Sequence, residues 1–445
     1  MNLYLPNDVK VIIEKLNKNG FEAFVVGGCV RDSIIGKTPN DWDICTSAKP
    51  LEIKSCFSEF NMFDAGMKHG TISVVINNVV YEITTYRIDG EYKDNRRPES
   101  VTFTDDITND LARRDFTINA MAYNELQGLI DPFGGQKDLK ESVLRCVGNP
   151  DQRFNEDGLR IIRALRFASV YNLEIECETS KSILKNADLL KNIAVERISV
   201  EFNKLLCGDS VETILNKYRD VIAVFIPEII PTFNFNQNNK HHSRDIWFHT
   251  IYSVKSVESD PLLRMTMFLH DLGKPKACTH DEDGTCHFKG HQEISADITR
   301  IILHRLKYPN EFISQCLTLV KYHDVRFNGT KRHIKRIMSK IGADNIELLL
   351  KVQRADMLAQ SDYMRKEKTE SINLSFKLLN EIILENECFS LKQLEVNGKD
   401  LISIGINSGK QIGEILKLLL DDVIEGKIEN KKTVLLDKAK ELANV

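Results

Sequence analysis

The stretch AFVVGGCVRDSIIGKTPNDWDICTSA, residues 23–48, combines an apolar run, a glycine pair, a basic residue and two carboxylates in one short span. Its first residues, 23–26, have the character of a buried strand, and Gly27 and Gly28 follow as a turn. Asp41 and Asp43 are two residues apart in a second segment with strand character, so their side chains project from the same face. The stretch predicts a strand, a glycine turn, a helix and a second strand that carries a carboxylate pair.

Two carboxylates on one face can share a metal ion. Hard oxygen ligands at this spacing suit Mg²⁺, which combines a few carboxylates with substrate phosphates and waters. The glycine pair lets backbone N–H groups approach a triphosphate, and Arg31 supplies a cation beside it. Glu82, in YEITTYR on a later strand, is a third catalytic candidate, either for a second metal or as acceptor of a proton from an attacking hydroxyl. Asp-x-Asp also arises by chance at exposed strand ends, and the glycine pair with Arg31 favours the catalytic interpretation.

The composition of the chain excludes several classes of protein. Its 445 residues are 42% hydrophobic and 28% charged, and no apolar run approaches the roughly 20 residues that a membrane span requires. The N-terminal segment lacks the pattern of a signal peptide, so we expect a cytoplasmic protein without a membrane partner. Ten cysteines without a Cys-x-x-Cys pair predict reduced thiols. The net charge of −4 offers no global attraction to nucleic acid, which local basic patches must therefore hold.

The pattern of strands and helices predicts an α+β fold. Strand-rich segments, including GTISVVINNVVYEITTYR with Asn77-Asn78 as a hairpin turn, alternate with helices up to about Tyr123. From Asp151 onward the periodicity is helical, and the Asn-rich segment TFNFNQNNKHHS has the composition of a linker. We therefore expect a head with a mixed sheet and helices at 1–150, followed by all-α parts at 151–235, 236–365 and 366–445.

The segment RFNEDGLRIIRALRFA, residues 153–168, predicts a helix with Asp157 and Arg160 as neighbours on one face. Together they present an acceptor beside a donor, which matches the edges of cytosine and adenine, whereas uracil and guanine place a carbonyl against the carboxylate. Arg163 and Arg166 extend the basic stripe toward a triphosphate. A salt bridge on a solvated helix is the commoner meaning of Asp-x-x-Arg, so the interpretation rests on the nucleotide site earlier in the chain.

Several segments in order resemble the bacterial tRNA nucleotidyltransferase and poly(A) polymerase family, class II of the polymerase β-like superfamily. They are GGCVRD with DWD, RRDFTINAMAYN, DPFGGQKDL, EDGLRIIRALRF and VERISVEFNKLL, and the resemblance covers most of the chain. It implies a polymerase β-like nucleotidyltransferase head with a helical neck, body and tail, and Mg²⁺ held by Asp41 and Asp43. The nucleotide-binding residues it implies, with the glycine turn, are Gly27, Gly28, Arg31, Arg114, Asp115, Asn119, Asp157, Arg160, Arg163 and Arg166. Among these, Asp115 and Asn119 are expected to recognise the ribose.

The implied activity is template-independent addition of CCA to the tRNA 3′ end, with CTP and ATP as substrates and no protein partner. An A-adding tRNA nucleotidyltransferase and a poly(A) polymerase are alternatives. The segment RIDGEYKDNRRPESVTF, residues 87–103, resembles the flexible loop of members that add the terminal A, which argues against CC-only addition. The basic run KRHIKRIMSK and the segment GINSGKQIGEILKLLL are candidate phosphate-binding patches for tRNA.

Five later segments, DIWFHT, FLHDLGKP, FKGHQEIS, KYHD and RADMLAQS, resemble the HD phosphohydrolase superfamily. The resemblance implies a second divalent metal, with the ligands His249, His270, Asp271, His291, His323 and Asp356, whose bound water is a nucleophile. A helical domain with purely structural polar residues is the alternative. A chain that is mainly an HD phosphohydrolase with an inactive transferase head is disfavoured because Asp41 and Asp43 are both present. The nearby CTHDEDGTCHFKGH has no common zinc-finger spacing and predicts a polar loop.

Overall fold

The computed structural model describes residues 2–90, 100–241, 243–406 and 409–443. The chain folds into two compact units, Met1–Pro227 and Glu228–Val445. A mixed sheet with helices forms the first unit, and the second is almost entirely helical. The predicted α+β class with a helical remainder is therefore confirmed, while the finer limits at 150, 235 and 365 stay predictions.

A seven-stranded sheet is the centre of the first unit. The strands of this unit are β1 (Ala23–Val26), β2 (Ile44–Thr46), β3 (Asn61–Phe63), β4 (Thr71–Ile76), β5 (Val79–Thr85), β6 (Arg87–Asp89), β7 (Val101–Phe103), β8 (Ala122–Asn124), β9 (Gly128–Ile130), β10 (Val143–Leu144) and β11 (Glu174–Ile175). The sheet has the order β3-β4-β5-β2-β1-β8-β9, and β6 pairs with β7 outside it. Within the sheet, β2 and β5 are parallel and the other neighbours are antiparallel.

Helices surround this sheet and continue beyond it. They are α1 (Asn7–Lys18), α2 (Gly28–Ile34), α3 (Pro50–Cys56), α4 (Ile107–Ala112), α5 (Gly135–Lys140), α6 (Pro150–Glu156), α7 (Leu159–Tyr171), α8 (Cys177–Lys185), α9 (Val195–Leu206), α10 (Val211–Lys217) and α11 (Arg219–Ala223). Short 3₁₀ turns occupy Met67–His69, Thr117–Asn119 and Ala187–Asn192. Phe24 and Val26 of β1 share a buried core with Tyr86, Leu111 and Val147, so apolar packing fixes the strand on which the glycine turn depends.

The second unit consists of helices with one short hairpin. After a 3₁₀ turn at Pro227–Thr232, its elements are α12 (Ile246–Ser256), α13 (Pro261–Leu269), α14 (Lys274–Ala277), β12 (Thr279–His280), β13 (Cys286–His287), α15 (His291–Arg305), α16 (Asn310–Tyr322), α17 (Lys331–Ile341), α18 (Ala343–Ala359), α19 (Arg365–Leu384), a 3₁₀ turn Leu391–Gln393, α20 (Gly398–Ser403), α21 (Gly409–Ile424) and α22 (Lys432–Ala443). Leu401, Leu419 and Leu435 belong to a separate core formed by its last three helices. Among the described residues, no helix has the length and apolarity that a membrane crossing requires.

Local sequence predicts several of these elements correctly. Along β4, Ile72, Val74 and Ile76 are buried and alternate with partly exposed residues, which is the period of a half-buried strand. The hairpin turn is confirmed: Asn77 and Asn78 both have positive φ, at +50° and +63°, a conformation that asparagine tolerates better than most residues.

Two expectations about elements were wrong. The segment 153–168 is not one helix, because Asp157 is extended, with φ −140° and ψ 104°, and separates α6 from α7. The carboxylate of Asp157 accepts a hydrogen bond from the Leu159 N–H at 3.0 Å, so it caps a new helix instead of continuing the old one. Asp41 and Asp43 precede β2, which begins at Ile44. Within the predicted loop 87–103, residues 91–99 lie outside the described residues, as do 407–408 of the candidate tail patch.

Candidate functional site

The turn after β1 requires glycine. Gly27 has φ +82° and ψ −126°, a backbone conformation that residues with a Cβ rarely adopt, and its N–H donates to the Met121 carbonyl at 3.1 Å. A Cβ at Gly27 would lie 2.9 Å from Nη1 of Arg114, and one at Gly28 would lie 3.6 Å from Nη2 of Arg31. The absence of a side chain at Gly27 therefore lets the Arg114 guanidinium approach this turn, beside which Arg31 also lies.

Three carboxylates lie beside this turn. Asp41 and Asp43 are exposed at the start of β2, and the parallel register that pairs Ile44 with Ile83 places Glu82 next to Asp43. The pKa of Asp43 is raised above its usual value, chiefly by partial desolvation and further by the charges of Asp41 and Glu82, against the opposing effect of Arg114. A cation between these groups removes their mutual repulsion, and their hard oxygen atoms suit a divalent metal such as Mg²⁺.

A continuous chain of hydrogen bonds joins the glycine turn to helix α7. Arg31 Nη1 donates to Asn119 Oδ1 at 2.5 Å, and Asn119 Nδ2 donates to Asp115 Oδ1 at 3.0 Å. Asp115 Oδ2 accepts from Nε and Nη2 of Arg163 at 2.9 and 2.6 Å. Glu201 of α9 extends the network, since it forms an ion pair with Arg166 at 3.1 Å. This arrangement fixes the predicted triphosphate and nucleotide-selecting cations relative to one another.

Asp115 and Asn119 are both buried within this network. Burial alone would raise the pKa of Asp115, but the charge of Arg163 and the hydrogen bond from Asn119 hold that pKa well below its usual range. The carboxylate is therefore ionised and holds Arg163 in place. The ribose contact of these two residues stays a prediction, and their hydrogen bonds show that they position Arg31 and Arg163.

Three further residues complete the site, and sequence reasoning did not identify them. The Arg31 guanidinium carbon lies 4.4 Å from the centre of the Tyr171 ring, and Nη2 donates to the Tyr171 hydroxyl at 2.6 Å. The buried carboxylate of Asp110 forms an ion pair with Nη2 of Arg114 at 3.3 Å. Glu201 lies in a segment that supported the family resemblance, whereas no pattern in the sequence indicated Tyr171 or Asp110.

Asp157 and Arg160 lie near each other in sequence but have different partners. Asp157 forms an ion pair with Arg197 of α9 at 3.1 Å, in addition to its cap of α7. Arg160 donates to Glu156 at 2.7 Å and to the Arg113 carbonyl at 2.9 Å. The expectation that the pair shares one face of a single helix is wrong, because the chain is extended at Asp157. Each side chain is instead held by separate neighbours.

The second unit brings together the six residues matched to the HD pattern. Asp271 is central: its oxygens lie 3.3 Å from His249 Nε2, 3.1 Å from His270 Nε2, 3.4 Å from His291 Nε2 and 3.7 Å from His323 Nε2. Asp356 lies 2.9 Å from His249 Nε2. All of these except Asp356 are buried. Six polar side chains from five separate segments of the chain therefore converge on one point, with His270 and Asp271 both following α13.

The histidines share one orientation. Nδ1 of His270, His291 and His323 lies 2.7, 2.7 and 2.6 Å from the backbone carbonyls of Met267, Phe288 and Val320. A carbonyl oxygen accepts a hydrogen bond only from a nitrogen that carries a proton. Nδ1 of each of these rings therefore carries a hydrogen, and Nε2 faces Asp271. This is the arrangement in which imidazoles act as metal ligands through Nε2.

The charges in this cluster are strongly coupled. Burial lowers the pKa of His270, but the carboxylates of Asp271 and Asp356 outweigh burial and raise it to about 10. The pKa of His323 falls to about 3, through burial and the charge of His270. A cavity of about 1200 Å³ reaches the cluster at Asp271, His291, His323 and Asp356. The cluster therefore lies against a space large enough for a small-molecule ligand.

The basic run on α17 pairs with acidic residues of its own unit. Lys331 lies 2.6 Å from Glu385 and Lys335 lies 2.8 Å from Glu387, while Arg332 lies 3.2 Å from Glu425. Because these cations already have intramolecular partners, they offer less positive charge to RNA than the basic sequence KRHIKRIMSK alone indicates.

Comparisons with known proteins match successive parts of the chain. Residues 23–145 match the model of the poly A polymerase head domain, and residues 172–230 match the probable RNA- and SrmB-binding site of polymerase A. Residues 289–439 match a putative tRNA nucleotidyltransferase domain 2. The models thus follow one another from the sheet to the last helices.

Similar proteins cover the whole chain. A CCA-adding enzyme of Ligilactobacillus salivarius (strain UCC118) is 34% identical over 452 residues, which is 98% of this chain and 98% of that protein. A CCA-adding enzyme of Enterococcus faecalis (strain ATCC 700802 / V583) is 32% identical over 98% of this chain and 97% of its own length. The crystal structure of the Bacillus stearothermophilus CCA-adding enzyme in complex with CTP has a TM-score of 0.75 and 26% identity, covering 99% of this chain and 98% of that one. The predicted family is thereby confirmed, and the chain belongs to the CCA-adding enzyme family of tRNA nucleotidyltransferases.

Proposed function

We propose that the chain adds C, C and A to the 3′ end of tRNA, with CTP and ATP as substrates, by Mg²⁺-dependent nucleotidyl transfer. The observation that carries the proposal is the meeting of the glycine turn, Arg31 and Arg114 with three carboxylates: Asp41 and Asp43 just before β2, and Glu82 within the neighbouring strand β5. Phosphoryl transfer needs cations on the triphosphate and a metal between carboxylates and substrate, and this site offers both sets of groups.

Asp41 and Asp43 would hold the Mg²⁺, and Glu82 is the candidate third carboxylate. A bound metal would lower the pKa of the attacking 3′-hydroxyl and neutralise negative charge on the phosphate. Arg31 and Arg114 bind the triphosphate beside the glycine turn, where the backbone of Gly27 and Gly28 permits close approach. The stacking of Arg31 on Tyr171 and the ion pair of Arg114 with Asp110 orient both guanidinium groups before the nucleotide arrives.

Base selection is assigned to Asp157 and Arg160, with Arg163 and Arg166 on the following turns of α7. The carboxylate accepts the exocyclic amine of cytosine or adenine, and the guanidinium donates to the adjacent ring nitrogen. Arg197 holds the Asp157 carboxylate and Glu156 holds the Arg160 guanidinium, so each group keeps its own position when a base binds. Asp115 and Asn119 contact the ribose and transmit the position of Arg163 to Arg31.

The product distinguishes this activity from its alternatives. The purified protein is incubated with Mg²⁺ and tRNA transcripts that end before CCA or after CC, with CTP and ATP supplied separately and together, and the 3′ ends are sequenced. Completion of CCA on the bare transcript supports the proposal. Addition of A only to the CC-ended transcript identifies an A-adding enzyme, and long A tracts identify a poly(A) polymerase, so either result contradicts it.

A second activity is favoured by the converging Nε2 atoms around Asp271. We propose that His249, His270, Asp271, His291, His323 and Asp356 bind divalent metal and support phosphoester hydrolysis, because their imidazole and carboxylate groups fit a transition metal or Mg²⁺. Lys274, with Nζ 2.7 Å from Asp271, adds a cation near the cavity. The test is metal-dependent hydrolysis of bis(p-nitrophenyl) phosphate. Equal rates for the wild type and Asp271→Asn, with equal metal content, would remove this proposal.

A further inference from the structure

The hairpin β12–β13 carries a set of metal-binding side chains that belongs to neither site. Cys278, His280 and Cys286 each offer a ligand atom, and these atoms all lie within 4.8 Å of one another. Cys278 Sγ is 3.6 Å from His280 Nε2, and Cys286 Sγ is 3.4 Å from His280 Nδ1. We propose that these three residues bind a zinc ion.

Strand pairing, not sequence spacing, assembles this group. The antiparallel register places His280 opposite Cys286 and Thr279 opposite His287, so Cys278 comes to lie next to the ladder. Gly284, with φ +83°, permits the turn, and the Asp281 N–H donates to the Thr285 carbonyl at 3.1 Å to close it. The residues do not follow a common zinc-finger spacing, and the hairpin brings them together without one.

The donor set and its dimensions suit zinc. Tetrahedral zinc with Zn–S near 2.3 Å and Zn–N near 2.0–2.1 Å separates a sulfur from a nitrogen by about 3.6 Å, close to both observed separations. In the structure Nε2 of His280 faces the Cys278 sulfur and Nδ1 faces the Cys286 sulfur. Zinc binding therefore needs a rotation of the exposed His280 ring, so that a single nitrogen points to the position between the two sulfurs. The two thiols release their protons to solvent, and water completes the coordination.

The electrostatics of the thiols favour a cation between them. Cys286 is buried, and the Sγ atoms of Cys278 and Cys286 lie within 4.8 Å of each other. Two thiolates at this distance repel, and a divalent ion reverses the sign of that interaction.

A bound ion would also fix one wall of the cavity at the six-residue cluster. Thr285, Cys286 and His287 of the hairpin line that cavity, and the Cys286 N–H donates to the Asn238 carbonyl at 3.4 Å on the adjoining wall. A zinc ion here would therefore hold the hairpin in place as one wall of the cavity, and this role does not depend on hydrolysis by the cluster.

Cobalt distinguishes this site from the six-residue cluster, whose ligands are only nitrogen and oxygen. The full-length protein is reduced, freed of metal and titrated with Co²⁺ under anaerobic conditions while thiolate-to-cobalt charge-transfer absorption is recorded. We expect a band that Cys286→Ser and His280→Asn abolish or reduce several-fold, and that Zn²⁺ bleaches by displacement. Asp271→Asn, which disrupts the cluster, and Cys177→Ser, which removes an exposed thiol on α8, should keep the band.

Absence of the band in the folded wild type, or its survival in Cys286→Ser, would overturn the proposal. A disulfide between Cys278 and Cys286 in protein isolated without reductant, combined with no thiolate band after reduction, would assign the pair to redox chemistry instead. Circular dichroism checks that each variant is folded. The exposed position of His280 makes His280→Asn an informative variant even where Cys286→Ser perturbs the hairpin.

Discussion

Replacing Asp115 with asparagine removes the negative charge between Arg163 and Asn119 while it keeps the size of the side chain. In the native site this carboxylate accepts both Nε and Nη2 of Arg163, the Asn119 amide and the Phe116 N–H. In the variant the amide oxygen of asparagine can still accept from the Phe116 N–H, but the Arg163 guanidinium loses its counterion. We expect Arg163 to move and, through Asn119, Arg31 to lose its alignment at the glycine turn.

The size of the effect follows from the burial of the pair. Removing one member of a fully buried ion pair costs about 3–5 kcal/mol. The Asp115 side chain is 9% exposed but that of Arg163 is 32% exposed, so water replaces part of the lost interaction. We therefore expect the free energy of unfolding of the first unit to fall by about 2–3 kcal/mol, roughly a 30- to 140-fold change in the unfolding equilibrium. We expect kcat/KM for CTP to fall by about 10- to 100-fold, since misplaced binding groups lose transition-state alignment.

Fluorescence separates the two units in this assay. The chain has two tryptophans, Trp42 in the first unit and Trp247 in the second, so a Trp247→Phe background reports urea unfolding of the first unit alone. Asp138→Asn is the matched control, because Asp138 is a buried carboxylate that accepts from Thr117 at 2.6 Å and forms an ion pair with Arg145 instead of with Arg31 or Arg163. Both variants should lose stability, and only Asp115→Asn should lose kcat/KM. Equal kcat/KM for wild type and Asp115→Asn would refute the positioning role.

Further predictions concern the turn, base selection and the second unit. Gly27→Ala should raise KM for CTP and ATP several-fold, because the new Cβ displaces Arg114, and should also lower the stability of the first unit, because alanine is strained at φ +82°; steady-state kinetics and urea unfolding measure the two effects. Asp157→Ala should weaken discrimination against UTP and GTP by about 10- to 100-fold, and continued full exclusion of both nucleotides would contradict the base-reading role. His270→Ala should abolish metal-dependent phosphodiester hydrolysis and leave CCA addition unchanged; parallel loss of both activities would show that the cluster serves the fold.

Local sequence determines the parts of the head that depend on short-range patterns. The alternation in β4 and the left-handed tolerance of Asn77 and Asn78 are properties of single residues, so the hairpin could be predicted directly. The glycine turn was also predictable, since glycine readily adopts the positive φ that a turn after a buried strand can require. The break at Asp157 was not, because the helical periodicity continues through it and the competing cap and the ion pair with Arg197 are visible only in the fold.

Contacts between distant segments explain the other omissions. Tyr171 reaches Arg31 and Asp110 reaches Arg114 only because the helices and the sheet bring them together, and tyrosine or aspartate in a helix carries no such signal. The segment with Cys278 and Cys286 was interpreted as a polar loop because its spacing fits no common zinc-finger pattern, whereas the strand register sets the separation of the two residues. By contrast, the six residues around Asp271 were singled out through a resemblance, and the fold brings them close together, while metal binding by them stays a prediction.

Single-turnover incorporation of the first C tests the central claim most directly. A tRNA transcript that lacks CCA is mixed with CTP, Mg²⁺ and an excess of one protein: the wild type, Asp41→Asn or Asp43→Asn. The amount of transcript lengthened by one nucleotide is then measured over time. Loss of metal-bound charge stabilisation predicts that each variant reacts at least about 10²–10³-fold more slowly than the wild type, while Trp42 fluorescence shows a folded first unit. Folded variants that add C at the wild-type rate would contradict the assignment of this carboxylate pair as the catalytic metal site.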